Sequence, residues 1–217
     1  MYTSSRGSGL RLQDAIVTSV PGGRLSTLAD EAFSSLNDIE GHKFVYFLCG
    51  IPDITFKYQE KGERNYEEVV FFNNNTAFNF KTLMYGIQSR FNSINCTPIF
   101  CTLPTINIKT WNNIRLTQHK TYILHYTHKY YHMQVQLNKV IKKINSFIIS
   151  YNHENEMKTP HLHSTINRWS SRTKTMRYLY HKFVDGVHPS PELKAKWSHI
   201  LQSAISNNLH CSRKLFY

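Results

Sequence analysis

The stretch that decides the fold is Phe-Val-Tyr-Phe-Leu-Cys at residues 44–49. It is a continuous apolar run between Gly41 and Gly50, as is typical of a β-strand that is buried on both faces. Strands of this kind occur in parallel sheets that carry helices on their faces. A second buried strand is predicted at residues 97–103, where Pro104 closes the run.

Longer segments with helical spacing of apolar residues lie around these strands. Helices are predicted at residues 24–36, 76–94 and 128–151, and from Pro191 to about residue 207. Shorter extended pieces are predicted at residues 15–20, 54–58 and 69–72, whereas residues 160–183 give no clear pattern. The alternation of strands and helices predicts an α/β fold, and 217 residues are enough for one domain but too few to expect two.

Composition limits the classes of partner and compartment. The chain has 26 Lys and Arg against 14 Asp and Glu, a formal charge of +12, which favours a polyanionic partner. Lys and Asn enrichment from genomic base composition is the alternative explanation. The four cysteines lack metal-ligand spacing, and Cys49 and Cys101, which lie in apolar strand-like runs, are expected to be buried thiols in a reducing compartment. No signal peptide or apolar run of about 18 residues is seen, so we expect an intracellular protein without a membrane span.

Four short segments at predicted turns carry the candidate chemistry. They are Thr3-Ser4-Ser5-Arg6, Pro21-Gly22-Gly23, Cys49-Gly50-Ile51-Pro52-Asp53 and Asp185-Gly186-Val187-His188-Pro189. In the last segment, an aspartate three residues before a histidine can orient the imidazole as a proton acceptor for a hydroxyl group. By itself, such a pair also fits an ordinary turn ahead of a helix.

The order of these segments resembles the SGNH (GDSL-type) hydrolases. That family has a Gly-Asp-Ser near its N-terminus, then an isolated Gly, a Gly-x-Asn-Asp and a late Asp-x-x-His. The resemblance spans almost the whole chain. It implies one domain over residues 1–217, a three-layer α/β/α sandwich with a short parallel sheet of four or five strands. It also implies ester hydrolysis, on an acetyl or short acyl group, without a cofactor or metal.

The resemblance assigns roles to individual residues. Ser5 falls on the nucleophile, and Asp185 and His188 fall on its two triad partners. The backbone N–H groups of Ser5 and Gly22 would form an oxyanion hole. Gly50 matches the first position of the third block.

The chain departs from the family pattern at two places. The first block reads Thr3-Ser4-Ser5, without the strand that usually leads into it, so either a further N-terminal segment or another element fills that slot. Pro52 stands where an asparagine amide would complete the oxyanion hole, and proline has no donor to replace it. Asn73 and Asn74 are nearby candidate replacements. The lost donor predicts weak activity or none.

Simpler structural roles remain open for several of these residues. Ser5 also suits a helix N-cap, Gly22 and Gly50 suit plain turns, and Asp53 is better explained as a helix or turn cap.

A competing function is a catalytically silent SGNH-like domain that binds nucleic acid or a protein, as in proteins of viruses or mobile elements. Its candidate surface is the basic segment of Arg168, Arg172, Lys174 and Arg177, where interleaved aromatic residues could stack on bases.

Overall fold

The protein is described by a computed structural model that covers residue 20 and residues 22–58, 68–71, 76–118 and 127–214. The helices are α1 (Leu25–Leu36), α2 (Ile51–Ile54), α3 (Thr76–Asn92), α4 (Ile108–Gln118), α5 (Thr127–Glu154) and α6 (Pro191–Lys214). The strands are β1 (Lys43–Phe47), β2 (Phe56–Tyr58), β3 (Glu68–Phe71), β4 (Cys96–Phe100), β5 (Asn167–Ser170) and β6 (Thr175–Tyr178). The fold is therefore mixed α/β and mainly helical.

The two predicted buried strands pair with each other in parallel. β1 and β4 run in register from Lys43 opposite Cys96 to Phe47 opposite Phe100. Both strands end earlier than the apolar runs predict, and four of the five residues in β1 are only half-buried. In the described part of the chain, two of the expected parallel strands are thus in place, while β2–β3 and β5–β6 form separate antiparallel pairs.

Helices cover this sheet as the sequence predicts. α1, α3 and α5 match the predicted helices closely, and the last helix is longer than expected. The largest apolar cluster joins β1 and β4 to α1, α3 and α5. Within it, Phe47 stacks on Phe100 with ring centroids 5.4 Å apart and meets Phe91 edge-to-face at 5.8 Å. Burial of these rings supplies a large share of the core's hydrophobic stabilisation.

A second, smaller cluster packs α6 near the end of β4. It contains Cys101, Leu162, Ile166, Phe183, Leu193 and Trp197. On the same helix, Asn208 donates from its amide to the hydroxyl of Tyr46 in β1 at 2.9 Å. α6 is therefore tied to the parallel pair by both apolar and polar contacts. No helix in the described part of the chain is long and apolar enough to cross a membrane.

Two buried asparagines of α5 hold the last residue of β4 and the segment that follows it. The side-chain amide of Asn152 accepts from the N–H of Phe100 at 3.2 Å and donates to its carbonyl at 2.8 Å. Asn145 does the same with Leu103, at 2.7 and 2.9 Å. Two asparagines, about two turns apart on α5, thus satisfy the N–H and carbonyl groups of Phe100 and Leu103, which a neighbouring strand would satisfy inside a wider sheet. We call these two asparagines the asparagine clamp.

Candidate functional site

Asp185 and His188, which the sequence predicts to act together, are in direct contact. The Nδ1 atom of His188 lies 2.6 Å from Oδ2 of Asp185. The other carboxylate oxygen accepts from the backbone N–H groups of Val187 and His188, at 3.0 and 2.7 Å. A bond from the N–H of Val184 to the carbonyl of His188 closes the turn. The carboxylate therefore fixes both the backbone of the turn and the ring of His188.

The electrostatics of Asp185 suit a group that orients an imidazole. Partial burial raises the pKa of its carboxyl, but hydrogen bonds from the His188 ring and from two backbone N–H groups outweigh burial and lower the pKa below its ordinary value. Asp185 is thus ionised at neutral pH, so the proton of this contact sits on Nδ1 of His188. Nε2 is then the nitrogen that can accept a proton. The His188 side chain is 66 % exposed, which leaves it open to a substrate.

The turn is anchored to the segment after β4. Gly186 has φ +91°, and its carbonyl accepts from the N–H of Asn107 at 2.8 Å. A Cβ atom at Gly186 would lie 2.5 Å from the carbonyl oxygen of Asn107, so only glycine fits. Trp111, in the first turn of α4, has its ring centroid 5.6 Å from that of His188. The histidine therefore lies where β4 leads into α4.

Gly50 meets the same segment from the end of β1. Its φ is +125°, and a Cβ atom there would lie 2.9 Å from Leu103 and 2.8 Å from Phe80. The turns at Gly50 and Gly186 therefore both contact residues 103–107, at the carboxyl end of the parallel pair. Functional residues of open α/β sheets gather at this end.

Asp53 connects the segment at residues 49–53 to the helix that follows Gly22 and Gly23. Its carboxylate accepts from the N–H of Leu25 at 2.9 Å, at the start of the helix that follows Gly22 and Gly23. Burial raises the pKa of Asp53, with partial compensation from this hydrogen bond. Asp53 therefore bonds to the first turn of α1, 28 residues earlier in the chain. Gly22 has φ +65°, with open space around the position of a Cβ atom.

Pro52 lies in the first turn of α2, two residues after Gly50. It offers no hydrogen-bond donor where the SGNH pattern has an asparagine. Asn73 and Asn74, the candidate replacement donors, lie outside the described residues.

Ser5, the predicted nucleophile, also lies outside the described residues, so its distance to His188 stays untested. The cysteines beside the site are poor alternatives. Burial, followed by the charge of Asp53, raises the pKa of Cys49, and burial raises the pKa of Cys101 to about 12. Both remain thiols at neutral pH, and a thiol is a weak nucleophile. The prediction of a buried thiol is confirmed for Cys101, whereas Cys49 is half-buried.

The basic segment forms an ordered hairpin, which the sequence did not predict. Arg168 lies in β5, Arg177 lies opposite it in β6, and Arg172 and Lys174 lie in the turn. All four are exposed. The structure therefore brings the predicted basic residues together on one element.

Several supporting residues were missed from the sequence. Trp111 and Asn107 lie in and before α4, a helix whose weak apolar periodicity gave no signal. The asparagine clamp did leave a signal in the sequence, because asparagines recur every seven residues along α5, at Asn138, Asn145 and Asn152. Seven residues are about two turns, so these three side chains share one helix face.

Comparison with models of known protein families gives no match, and a search of curated proteins finds no significant relative.

Proposed function

We propose that this chain is a divergent SGNH-type serine ester hydrolase with Ser5, His188 and Asp185 as its triad. The observation that carries the proposal is the 2.6 Å contact between His188 and an ionised Asp185 at the carboxyl end of a parallel strand pair. This pair can do the work of a general base, because its carboxylate fixes the tautomer and stabilises the imidazolium that forms.

The finer fold in this proposal is the three-layer α/β/α sandwich of that family. The order of elements supports it: β1, Gly50, α3, β4, the Asp-x-x-His turn and a last helix follow each other as the resemblance requires. The main apolar cluster on α1, α3 and α5 would be one outer layer. α6, bonded to Tyr46 through Asn208, would be the other.

The proposed reaction proceeds through an acyl-enzyme. The hydroxyl oxygen of Ser5 attacks the ester carbonyl while Nε2 of His188 takes its proton. When the tetrahedral intermediate collapses, the C–O bond breaks and His188 returns the proton to the departing alcohol. Water then attacks the acyl-serine, again losing a proton to His188, and the carboxylic acid leaves as Ser5 recovers its hydrogen.

Stabilisation of the oxyanion would fall to backbone N–H groups of Ser5 and Gly22. Pro52 cannot add the usual third donor, and one missing donor costs roughly a hundredfold to a thousandfold in rate. We therefore expect a slow enzyme. The exposed His188 favours short acyl groups on a small molecule or on a polymer that reaches an open site.

The test is turnover of p-nitrophenyl acetate by the full chain and by His188→Gln and Asp185→Asn. Exposed histidines hydrolyse this ester slowly by themselves, so His181→Gln, at an exposed site nearby, is the matched control. We expect both site variants to fall to the level of free imidazole while the control keeps full activity. Equal activity in all four proteins would refute the proposal and favour the catalytically silent alternative.

A further inference from the structure

The β5–β6 hairpin is exposed along most of its length and hydrogen-bonded at its base and its tip. Every residue from 171 to 177 is exposed, yet the hairpin is well held at both ends. At its base, Leu179 donates to the carbonyl of Ile166 at 2.8 Å. At its tip, Thr173 donates to the hydroxyl of Ser170, and Lys174 adopts φ +51°. An element with so little burial and so much internal order is suited to contact something outside the chain.

Two like charges lie opposite each other on one face of the hairpin. Arg168 and Arg177 are direct cross-strand partners, so their Cβ atoms lie about 4.5–5.5 Å apart. Like charges in this position destabilise a sheet. Within the described residues, neither guanidinium forms an ion pair with an acidic side chain; the ion pairs there involve other residues. An anion bound between them would remove the repulsion and receive paired N–H donors from each guanidinium.

The opposite face of the hairpin carries an unprotected aromatic ring. Trp169 pairs with Met176 across the strands, and the two are 58 % and 43 % exposed. Side chains alternate between faces along a strand, so this apolar pair lies on the other side from the two arginines. An exposed aromatic ring within a basic element is typical of surfaces that bind both the phosphates and the bases of a single strand.

The segment of sequence that contains the hairpin carries positive formal charges and no negative ones. From residue 157 to residue 184 the sequence contains no Asp or Glu. Arg172 and Lys174 add two further exposed positive charges in the turn. Positive charges spread from both strands into the turn favour an extended polyanion over a single small ion.

We propose that the hairpin binds single-stranded nucleic acid. Phosphates would lie across Arg168 and Arg177, and the strand would pass around the edge of the two-stranded hairpin so that an unpaired base stacks on Trp169 on its other face. The exposed indole favours a single strand over a duplex, because a paired base offers no free face to it. This binding is independent of the ester hydrolysis proposed above, since it uses none of the triad residues.

The first test measures binding of a fluorescent mixed-sequence oligonucleotide, as RNA and as DNA, by anisotropy over a range of salt concentrations. Arg168→Gln/Arg177→Gln is compared with Lys139→Gln/Lys142→Gln, which removes the same charge from the exposed side of α5. Single-strand affinity scales with salt by an exponent of about −0.7 per phosphate contact, so two lost contacts weaken binding about 25-fold at about 0.1 M salt. We expect that loss in the arginine variant and little change in the control.

The second test separates a nucleic-acid site from general attraction to polyanions. Trp169→Ala is expected to weaken single-strand binding about fivefold or more, whereas Trp169→Phe, which keeps a stacking ring, stays close to wild type. Heparin binding should not respond to either change. Equal weakening by the two double variants, or heparin and duplex DNA binding as tightly as the single strand with no effect of Trp169→Ala, would overturn the proposal.

Discussion

Replacing Asn145 with leucine should destabilise the fold strongly, although the two side chains are similar in size. Asn145 is buried, and its amide is the partner of both the N–H and the carbonyl of Leu103. Leucine would leave both backbone groups buried without a hydrogen bond, at about 1–3 kcal/mol for each. The better helix propensity of leucine returns a few tenths of a kcal/mol. We therefore expect the free energy of unfolding to fall by about 1.5–5.5 kcal/mol.

Urea unfolding followed by circular dichroism measures this change directly. The matched control is Ser146→Ala, on the same turn of α5 but with an exposed side chain bonded only within the helix. Asn152→Leu removes the equivalent bonds to Phe100 and should cost a similar amount. A loss below about 0.5 kcal/mol for Asn145→Leu, no larger than an ordinary surface substitution, would refute the role assigned to the clamp.

Three further predictions concern the site and its surroundings. Pro52→Asn returns a donor to the third block and should raise ester turnover by up to about a hundredfold; an unchanged rate would mean that Pro52 does not face the oxyanion. Gly186→Ala forces a Cβ atom to 2.5 Å from the carbonyl oxygen of Asn107, and the displaced turn should lower turnover roughly a hundredfold while the protein stays folded by circular dichroism. Burial, with the charge of His161, lowers the pKa of His163. Below about pH 6.5, the ordinary pKa of histidine, the unfolded chain therefore binds more protons at this residue than the folded protein does, and the free energy of unfolding falls as the pH is lowered. His163→Gln removes this proton binding, so the urea midpoint of the variant should depend less on pH.

The parts of the fold that follow from local chemistry were predictable from the sequence. Residues 44–49 gave β1 because a continuous apolar run can be satisfied only inside a sheet. The contact between Asp185 and His188 followed from their spacing around Gly186, whose positive φ allows the tight turn. These features depend on a few neighbouring residues, so one sequence is enough to find them.

The unpredicted parts depend on tertiary contacts. The clamp at Asn145 joins residues that are 42 positions apart in the chain. Asparagines on an apolar helix face indicate buried hydrogen bonds, but the sequence does not show which residues they bond to. The β5–β6 hairpin lacks the alternation of apolar and polar residues that marks a half-buried strand, because both of its faces are exposed. α4 has little apolar periodicity and is held by packing on its neighbours.

The most direct test of the central claim is covalent labelling of the full chain by a fluorophosphonate probe, with the modified residue located by mass spectrometry. Such a probe reacts with a serine only when a neighbouring base activates its hydroxyl. The account predicts labelling at Ser5 that disappears in Ser5→Ala and in His188→Gln but persists in Ser4→Ala, which removes the adjacent hydroxyl. Absence of label from the folded wild-type chain, or label that survives the loss of His188, would contradict it.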